Sequence, residues 1–343
     1  MISNLIQRIT EEQSEENPYF NKGLLPTFRV NRTFSYIRKD TSIFASASVA
    51  FILSEILTHL SEDQKITVKS IIEAITQNFE NYRNKDGLST YNFWQTKPSL
   101  HFPNGYLFHR LKHFKLPDDI DDTSLIYVVN SATNTEVELL REKLKAHVGE
   151  DLVYDTWFGE SMPKEKDVCA LCNLMYLILS SGLPLNSHDI ATLKYLNKSI
   201  VSGAYLENPF WVSRHYGSVA LILYHFARLL YKFEVPQLDE ARKWIIESIS
   251  ELITIEKSPL NRVLLGICAL KLGVKFKRIN FDLNTFEDNK FYSFIGAPFA
   301  PFNNRVTNWI ASKHWAIIGW KCRAHEIALL LEYEVLCQQN EIK

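Results

Sequence analysis

Six apolar segments recur along this chain, each opened by a polar residue and separated from the next by a more charged stretch. They open at Asp40, Asp122, Asp167, His215, Asn261 and Ser312, and run through Ile43–Leu57, Leu125–Val129, Val168–Leu179, Val219–Leu230, Val263–Leu272 and a long segment ending near Leu336. The starts lie 82, 45, 48, 46 and 51 residues apart, the first interval being longer because it holds an extra loop. A period of this size leaves room for two helices and two loops, the mark of a repeat architecture. Between the apolar segments run Gln64–Arg83, Thr135–Val148, Ser187–Val201 and Gln237–Ile255. In the last of these, Trp244, Ile245, Ser248, Ile249, Leu252 and Ile253 form one stripe on an otherwise charged helix.

Helices that are apolar all round belong inside, and striped ones belong outside. The pattern therefore predicts an all-α double layer, an (α/α)6 toroid, with strand signals nearly absent. Residues 36–343 are read as the single toroid domain. Residues 1–35, with Asn17-Pro18-Tyr19 and Leu25-Pro26-Thr27, are read as an N-terminal arm that wraps around it. In such a ring the inner helices all start at one end, so the six opening residues should surround one mouth.

Composition narrows the function classes. Thirty-eight basic against 39 acidic residues leave a formal charge of -1, which gives no overall electrostatic footprint for nucleic acid. Five cysteines without framework spacing point to a reducing, cytoplasmic setting; Cys169 and Cys172 lie in an apolar segment and read as core. The N-terminus lacks a signal-peptide layout, and no uncharged apolar run reaches spanning length; peripheral contact with a membrane stays open, as does oligomeric state. Aromatics make up 13% of the chain, and they concentrate before the inner helices. Phe93, Trp94, Tyr154, Trp157, Trp211, Tyr216, Phe302 and Trp315 are accordingly expected to line a cavity at the mouth.

The most concentrated chemistry lies in Pro117-Asp118-Asp119-Ile120-Asp121-Asp122-Thr123-Ser124. Acids suit a helix start, where free N–H groups and the positive dipole end favour them. Crowded and desolvated acids can also retain a proton and donate it. Two motifs overlap here. Asp118-Asp119-x-x-Asp122 has the DDxxD form that holds Mg2+ against a diphosphate. That reading also needs a second metal motif on a later helix, which the sequence lacks, and Pro117 sets the acids at a helix start rather than mid-helix. Asp119-x-Asp121-Asp122-Thr123 has the DxDDT form, in which the middle carboxylic acid protonates an alkene or epoxide.

This second motif resembles that of class II terpene cyclases, which include squalene-hopene cyclases and are built from α-toroid domains. Asn84-Lys85-Asp86-Gly87-Leu88-Ser89-Thr90-Tyr91 is similar to a decayed copy of the Gln-x-x-Asp-Gly-x-Trp repeat of those toroids. Most such cyclases use two toroids; the length here looks like the single-toroid merosterolic acid synthase type. The resemblance implies protonation-initiated cyclisation of a polyprenyl chain carried on an aromatic head group, with Asp121 as general acid and Asp119 and Asp122 setting its proton. It implies an apolar small-molecule substrate and calls for no metal or cofactor. His109 and His215 are candidates for a base or an acid-positioning group. The alternatives are a Mg2+-dependent class I type synthase or prenyltransferase, a glycosidase-like toroid pairing Asp121 with Asp40 or Asp167, and a binding module.

Overall fold

The computed structural model describes residues 1–15, 19–84, 89–97, 99, 116–159, 164–283, 286, 290–300 and 305–341. Its organising element is a closed ring of six helices: α2 (Phe44–Ile56), α4 (Ile120–Val129), α6 (Val168–Ser180), α8 (Val219–Lys232), α10 (Pro259–Leu272) and α11 (Arg323–Glu341). Each contacts the next, and α11 returns to α2. Around them lie α1 (Ile2–Glu12), α3 (Glu62–Thr76), α5 (Asn134–Lys145), α7 (Ser187–Val201) and α9 (Asp239–Ile255). The double-layered toroid is thus as the periodicity predicts.

Local sequence explains these elements. In α6 every residue from Val168 to Ile178 is buried, whereas α9 buries only Ala241, Ile245, Ile249 and Ile253, one stripe at helical spacing. Capping boxes start three outer helices: Ser61 with Gln64, Thr133 with Glu136, and Asn186 with Asp189. Ser258 caps α10 with Pro259 in its first turn, and Gly273, at φ 73°, ends it in the left-handed conformation. The five cysteines are free and buried. No helix among the described residues is long and apolar enough to cross a membrane.

Several expected helix starts move. Asp119, not Asp122, caps α4, because its side chain is placed to accept from the Asp122 N–H at 2.8 Å. Ser218 and Ser258 stand at the N-cap positions expected for His215 and Asn261. Asp40 ends a strand, and α2 begins only at Phe44. The last inner helix starts at Arg323 rather than near Ser312, since residues 312–322 contain Gly319 and a strand.

That strand belongs to a sheet missing from the sequence reading. β1 (Thr27–Asn31), β2 (Tyr36–Asp40), β3 (Phe294–Gly296) and β4 (Ile318–Lys321) form an antiparallel sheet in the order β2-β1-β4-β3. Its strands are three to five residues long and carry no clean alternation, and the β1–β4 pairing joins chain positions nearly 300 residues apart, so no local pattern announces it. Residues 1–35 accordingly supply α1, which lies against α11 and α3, and the central strand β1. A buried ion pair ties β1 to the end of β2, Arg29 Nε to Asp40 Oδ2 at 2.9 Å, and Asp40 also accepts from Trp94 Nε1 at 3.1 Å. Removing one partner of a buried pair strands the other charge, at ~3–5 kcal/mol. Arg29→Met should therefore lower stability by an amount of that order, read as a drop in the urea midpoint; an unchanged midpoint would contradict this role for the pair.

Candidate functional site

Asp121 lies in the first turn of α4, at the end of the ring where the inner helices start. The turn is gripped by backbone from both sides: Ile120 N–H donates to the Thr156 carbonyl at 3.0 Å, Phe158 N–H to the Asp118 carbonyl at 3.0 Å, and Asp119 N–H to the Tyr91 carbonyl at 3.4 Å. Thr123 Oγ1 accepts from Tyr91 N–H at 3.0 Å. The four acids of this turn then diverge in role.

Asp118 is satisfied by Thr90 Oγ1 at 2.5 Å, Asn84 Nδ2 at 2.6 Å and Asn92 Nδ2 at 3.2 Å. Asp119 caps its own helix, and burial together with the Asp121 charge pushes its carboxyl up to about 7. Asp122 is also raised, by burial and by the charge of Asp119, and its Oδ1 is buried without a hydrogen-bond partner. A raised, neighbouring pair of carboxyls retains a proton between them. Asp121 differs from all three. Its Oδ1 accepts from Asn173 Nδ2 at 2.6 Å and its Oδ2 from the Tyr216 hydroxyl at 2.6 Å. Burial pushes this carboxyl up to about 6, although both hydrogen bonds favour the carboxylate.

Each partner comes from a different inner helix or its lead-in. Asn173 is on α6, and its Oδ1 accepts from the guanidinium of Arg228 on α8. Arg228 is buried, with Phe51 and Tyr224 rings 4.6 and 4.9 Å away. Tyr216 precedes α8, beyond which Gly217 takes φ 57°. An aromatic cluster adjoins Tyr216. Phe294 is its hub, with ring centroids of Phe93, His215, Phe44 and Trp320 at 4.8, 4.9, 5.3 and 5.6 Å.

Of the expected cavity residues, Phe93, Trp94, Trp157 and Tyr216 gather at this end of the ring. Tyr154 is fully buried beneath α7, where it donates to Asp189 Oδ1 at 2.9 Å. Trp211 faces a surface cleft of about 240 Å³ with Lys164, Lys166 and Arg214, and Trp315 is 41% exposed. Phe302 and His109, with residues 85–88 of the expected repeat, lie outside the described residues.

His215 is not a free imidazole. Burial opposes its charge, yet Glu165, 3.2 Å from Nε2, holds its pKa up at about 9. Nδ1 meets the Ile295 carbonyl at 3.1 Å. At neutral pH this is an imidazolium in an ion pair, which suits positioning rather than proton abstraction. Its backbone N–H donates to Asp167 Oδ2 at 3.0 Å, and Asp167 Oδ1 takes Ser213 Oγ, Cys169 N–H and Ala170 N–H. Glu165, Asp167 and His215 are close enough to embrace a cation. Their donor atoms are already committed, however, and Arg214 stands 3.8 Å from Glu165. Nor do Asp40 or Asp167 offer a free carboxylate for a glycosidase-like pair.

Asn173 and Arg228 escaped the sequence reading, and Phe294 belongs to the aromatics that concentrate before the inner helices. An Asn within a fully apolar helix, Cys172-Asn173-Leu174, was the available signal, since a buried amide demands partners. His225, buried beside Tyr216 at 4.6 Å between centroids, is kept uncharged by burial and by Arg228.

No family model and no curated protein matches the sequence. Among solved structures the chain shares the fold of a type II terpene cyclase. That structure is MstE from Scytonema, solved in the apo state, with 13% identity, a TM-score of 0.55, and 98% of this chain and 99% of that chain covered.

The raised carboxyl has a thermodynamic consequence. A carboxyl with a folded pKa near 6 and an unfolded value near 3.8 binds more protons folded than unfolded between those limits, so its contribution to stability is present below the lower value and lost as pH rises through the upper one. Asp121→Asn removes that loss. Relative to the parent protein, the variant should gain stability between pH 4 and 7, on the order of 3 kcal/mol in all. Parallel urea-stability profiles of the two proteins over that range would refute the raised pKa.

Proposed function

We propose that this protein is a class II terpene cyclase in which Asp121 protonates the terminal alkene or epoxide of a polyprenyl chain, on a substrate that also carries an aromatic head group. The carrying observation is one carboxyl of raised pKa, buried between Tyr216 and Asn173 at the aromatic end of the ring. MstE, whose fold this chain shares, is described as a type II terpene cyclase, and in this chain the DxDDT residues 119–123 span the turn that carries Asp121.

The chemistry follows from the surroundings. Asp121 transfers a proton to the π-bond, and the electron pair of that bond forms the new C–H bond. The resulting cation is attacked by the next alkene as a ring closes. Loss of a proton from the last cation returns charge balance. Tyr216 and Asn173 hold the carboxylate left behind, which makes Asp121 a stronger acid than burial alone allows. The reading requires ring faces of this cluster to border the substrate, where each would stabilise a cation by ~2 kcal/mol when dry. Asp119 does not fit the acid role as well, because its Oδ1 is spent on its own helix.

The DDxxD alternative is less supported, since Asp118 is surrounded by three donors and Asp119 caps the helix. A chelator should leave turnover of a prenylated substrate unchanged; strict Mg2+ dependence would move the assignment to diphosphate chemistry. Asp121→Asn should reduce cyclisation at least ~1000-fold while substrate still binds, as read by product mass spectrometry and titration; cyclic product at the parental rate would overturn the reading. The kcat/KM of the parent should fall tenfold per pH unit above about 6, because the protonated acid is the active form.

A further inference from the structure

The proposed cyclisation ends with loss of a proton, and the groups at the mouth are spent on other partners. Tyr216 and Asn173 hold the Asp121 carboxyl. The His215 imidazole is charged and paired with Glu165. Asp167 is filled by Ser213 Oγ and by three backbone N–H groups. A base for the last step must be uncharged, carry an unspent lone pair, and stand near the acid that starts the reaction.

His225 meets each condition. It lies in the second turn of α8, and its ring centroid is 4.6 Å from that of Tyr216, whose hydroxyl donates to Asp121 Oδ2 at 2.6 Å. Nδ1 lies 2.7 Å from the Leu221 carbonyl, one turn back on the same helix. A carbonyl only accepts, so the ring proton sits on Nδ1 and the lone pair on Nε2. Nε2 makes no hydrogen bond among the described residues, and 5% of the residue's surface stays open although α8 is an inner helix. His325, also inside the ring and uncharged, differs in both respects. It lies beside Phe291 rather than Tyr216, and its Nδ1 meets Ser293 Oγ at 2.9 Å, a hydroxyl that donates as readily as it accepts and so leaves the tautomer open.

Burial and the Arg228 charge hold the His225 imidazole well below its ordinary pKa. That weakness suits the step. An imidazole of ordinary strength, sharing Tyr216 with Asp121, would compete for the acid's proton before the substrate received it. A carbocation is so strong an acid that a weak base suffices to deprotonate it, and the nearby guanidinium makes a lingering cation less stable.

We propose that His225 is the base that ends the cascade, its Nε2 taking a proton from the carbon next to the last cationic centre. The C–H electron pair becomes the new π-bond and fills the empty orbital, while the Nε2 lone pair forms the new N–H bond. The imidazolium then gives its proton up to the Asp121 carboxylate, which holds it more strongly, so acid and base both return to their starting states. This role rests on the cyclase reading.

The test supplies farnesyl- and geranylgeranyl-substituted hydroxybenzoates in heavy water to the parent, His225→Gln and His225→Ala proteins. The His225 side chain bonds only within its own helix, so its loss strands no partner. Asp121 is untouched, and both variants should still begin cyclisation and place deuterium at the initiating end of the product. Without the base, turnover should fall ~100-fold, and the share of the parental alkene should fall about tenfold in favour of double-bond isomers and alcohols formed by water capture. Parental products in parental proportions from both variants would overturn the assignment and leave the cyclase reading intact. So would loss of all turnover in both, which would make His225 part of the acid site or of the fold. A parent that forms no cyclic product would instead overturn the cyclase reading, and this assignment with it.

Discussion

Everything at the mouth of this toroid depends on one buried carboxyl held by two donors from different inner elements. Asp121 is in α4, Asn173 in α6 and Tyr216 at the approach to α8, so the ring must close before the site exists. Six helices that bury nearly their whole circumference supply that closure by burial alone. The polar contacts then fix how the helices are turned, because each buried donor left without its acceptor would cost ~1–3 kcal/mol.

Electrostatics divides the site into two parts with opposite protonation. Around Asp121, burial and like charges push Asp119, Asp121 and Asp122 upward, so protons are retained. A few residues away, Glu165 and His215 resolve the same low dielectric as an ion pair, with the imidazole charged. The difference lies in the partners available. Carboxyls whose strongest charged neighbours are other carboxyls keep protons, whereas Glu165, paired directly with an imidazole, gives its proton up. His225 and His325 inside the ring stay uncharged because burial and the nearby Arg228 disfavour a second cation.

The double-layered ring and the acidic turn were legible in the sequence because both are local. Helix periodicity, caps and a six-residue motif need only neighbouring positions. What escaped requires distant pairing. The β1–β4 ladder joins Arg29 to Trp320, and the hub Phe294 looks like any other loop aromatic until the sheet delivers it to Tyr216. Aromatic counting grouped Phe93, Trp94, Trp157 and Tyr216, which lie at one end of the ring, with Tyr154, which serves the outer layer through Asp189. A Tyr before an inner helix can turn either way, and only its hydroxyl partner decides. The sites of Phe93 and Tyr216 were thus readable as a class, not individually.

Under the proposed acid role of Asp121, the arrangement of Arg228 explains why an amide stands between the two charges. A guanidinium placed directly on Asp121 would hold the carboxylate and depress its pKa by one to three units, leaving no proton to give. Arg228 instead donates to Asn173 Oδ1, which fixes the amide so that Nδ2 points at Asp121. The positive charge then reaches the carboxyl only through one polarised amide, strong enough to settle the conjugate base and too weak to strip the acid. Its own charge is tempered by Glu332, which also accepts from Tyr224 and pairs with Lys271 at 2.9 Å. Phe51 and Tyr224 faces do the rest of its solvation. An acid of intermediate strength, buried yet still protonated in part near neutral pH, is the outcome that this chain of contacts from α11 through α8 and α6 to α4 produces.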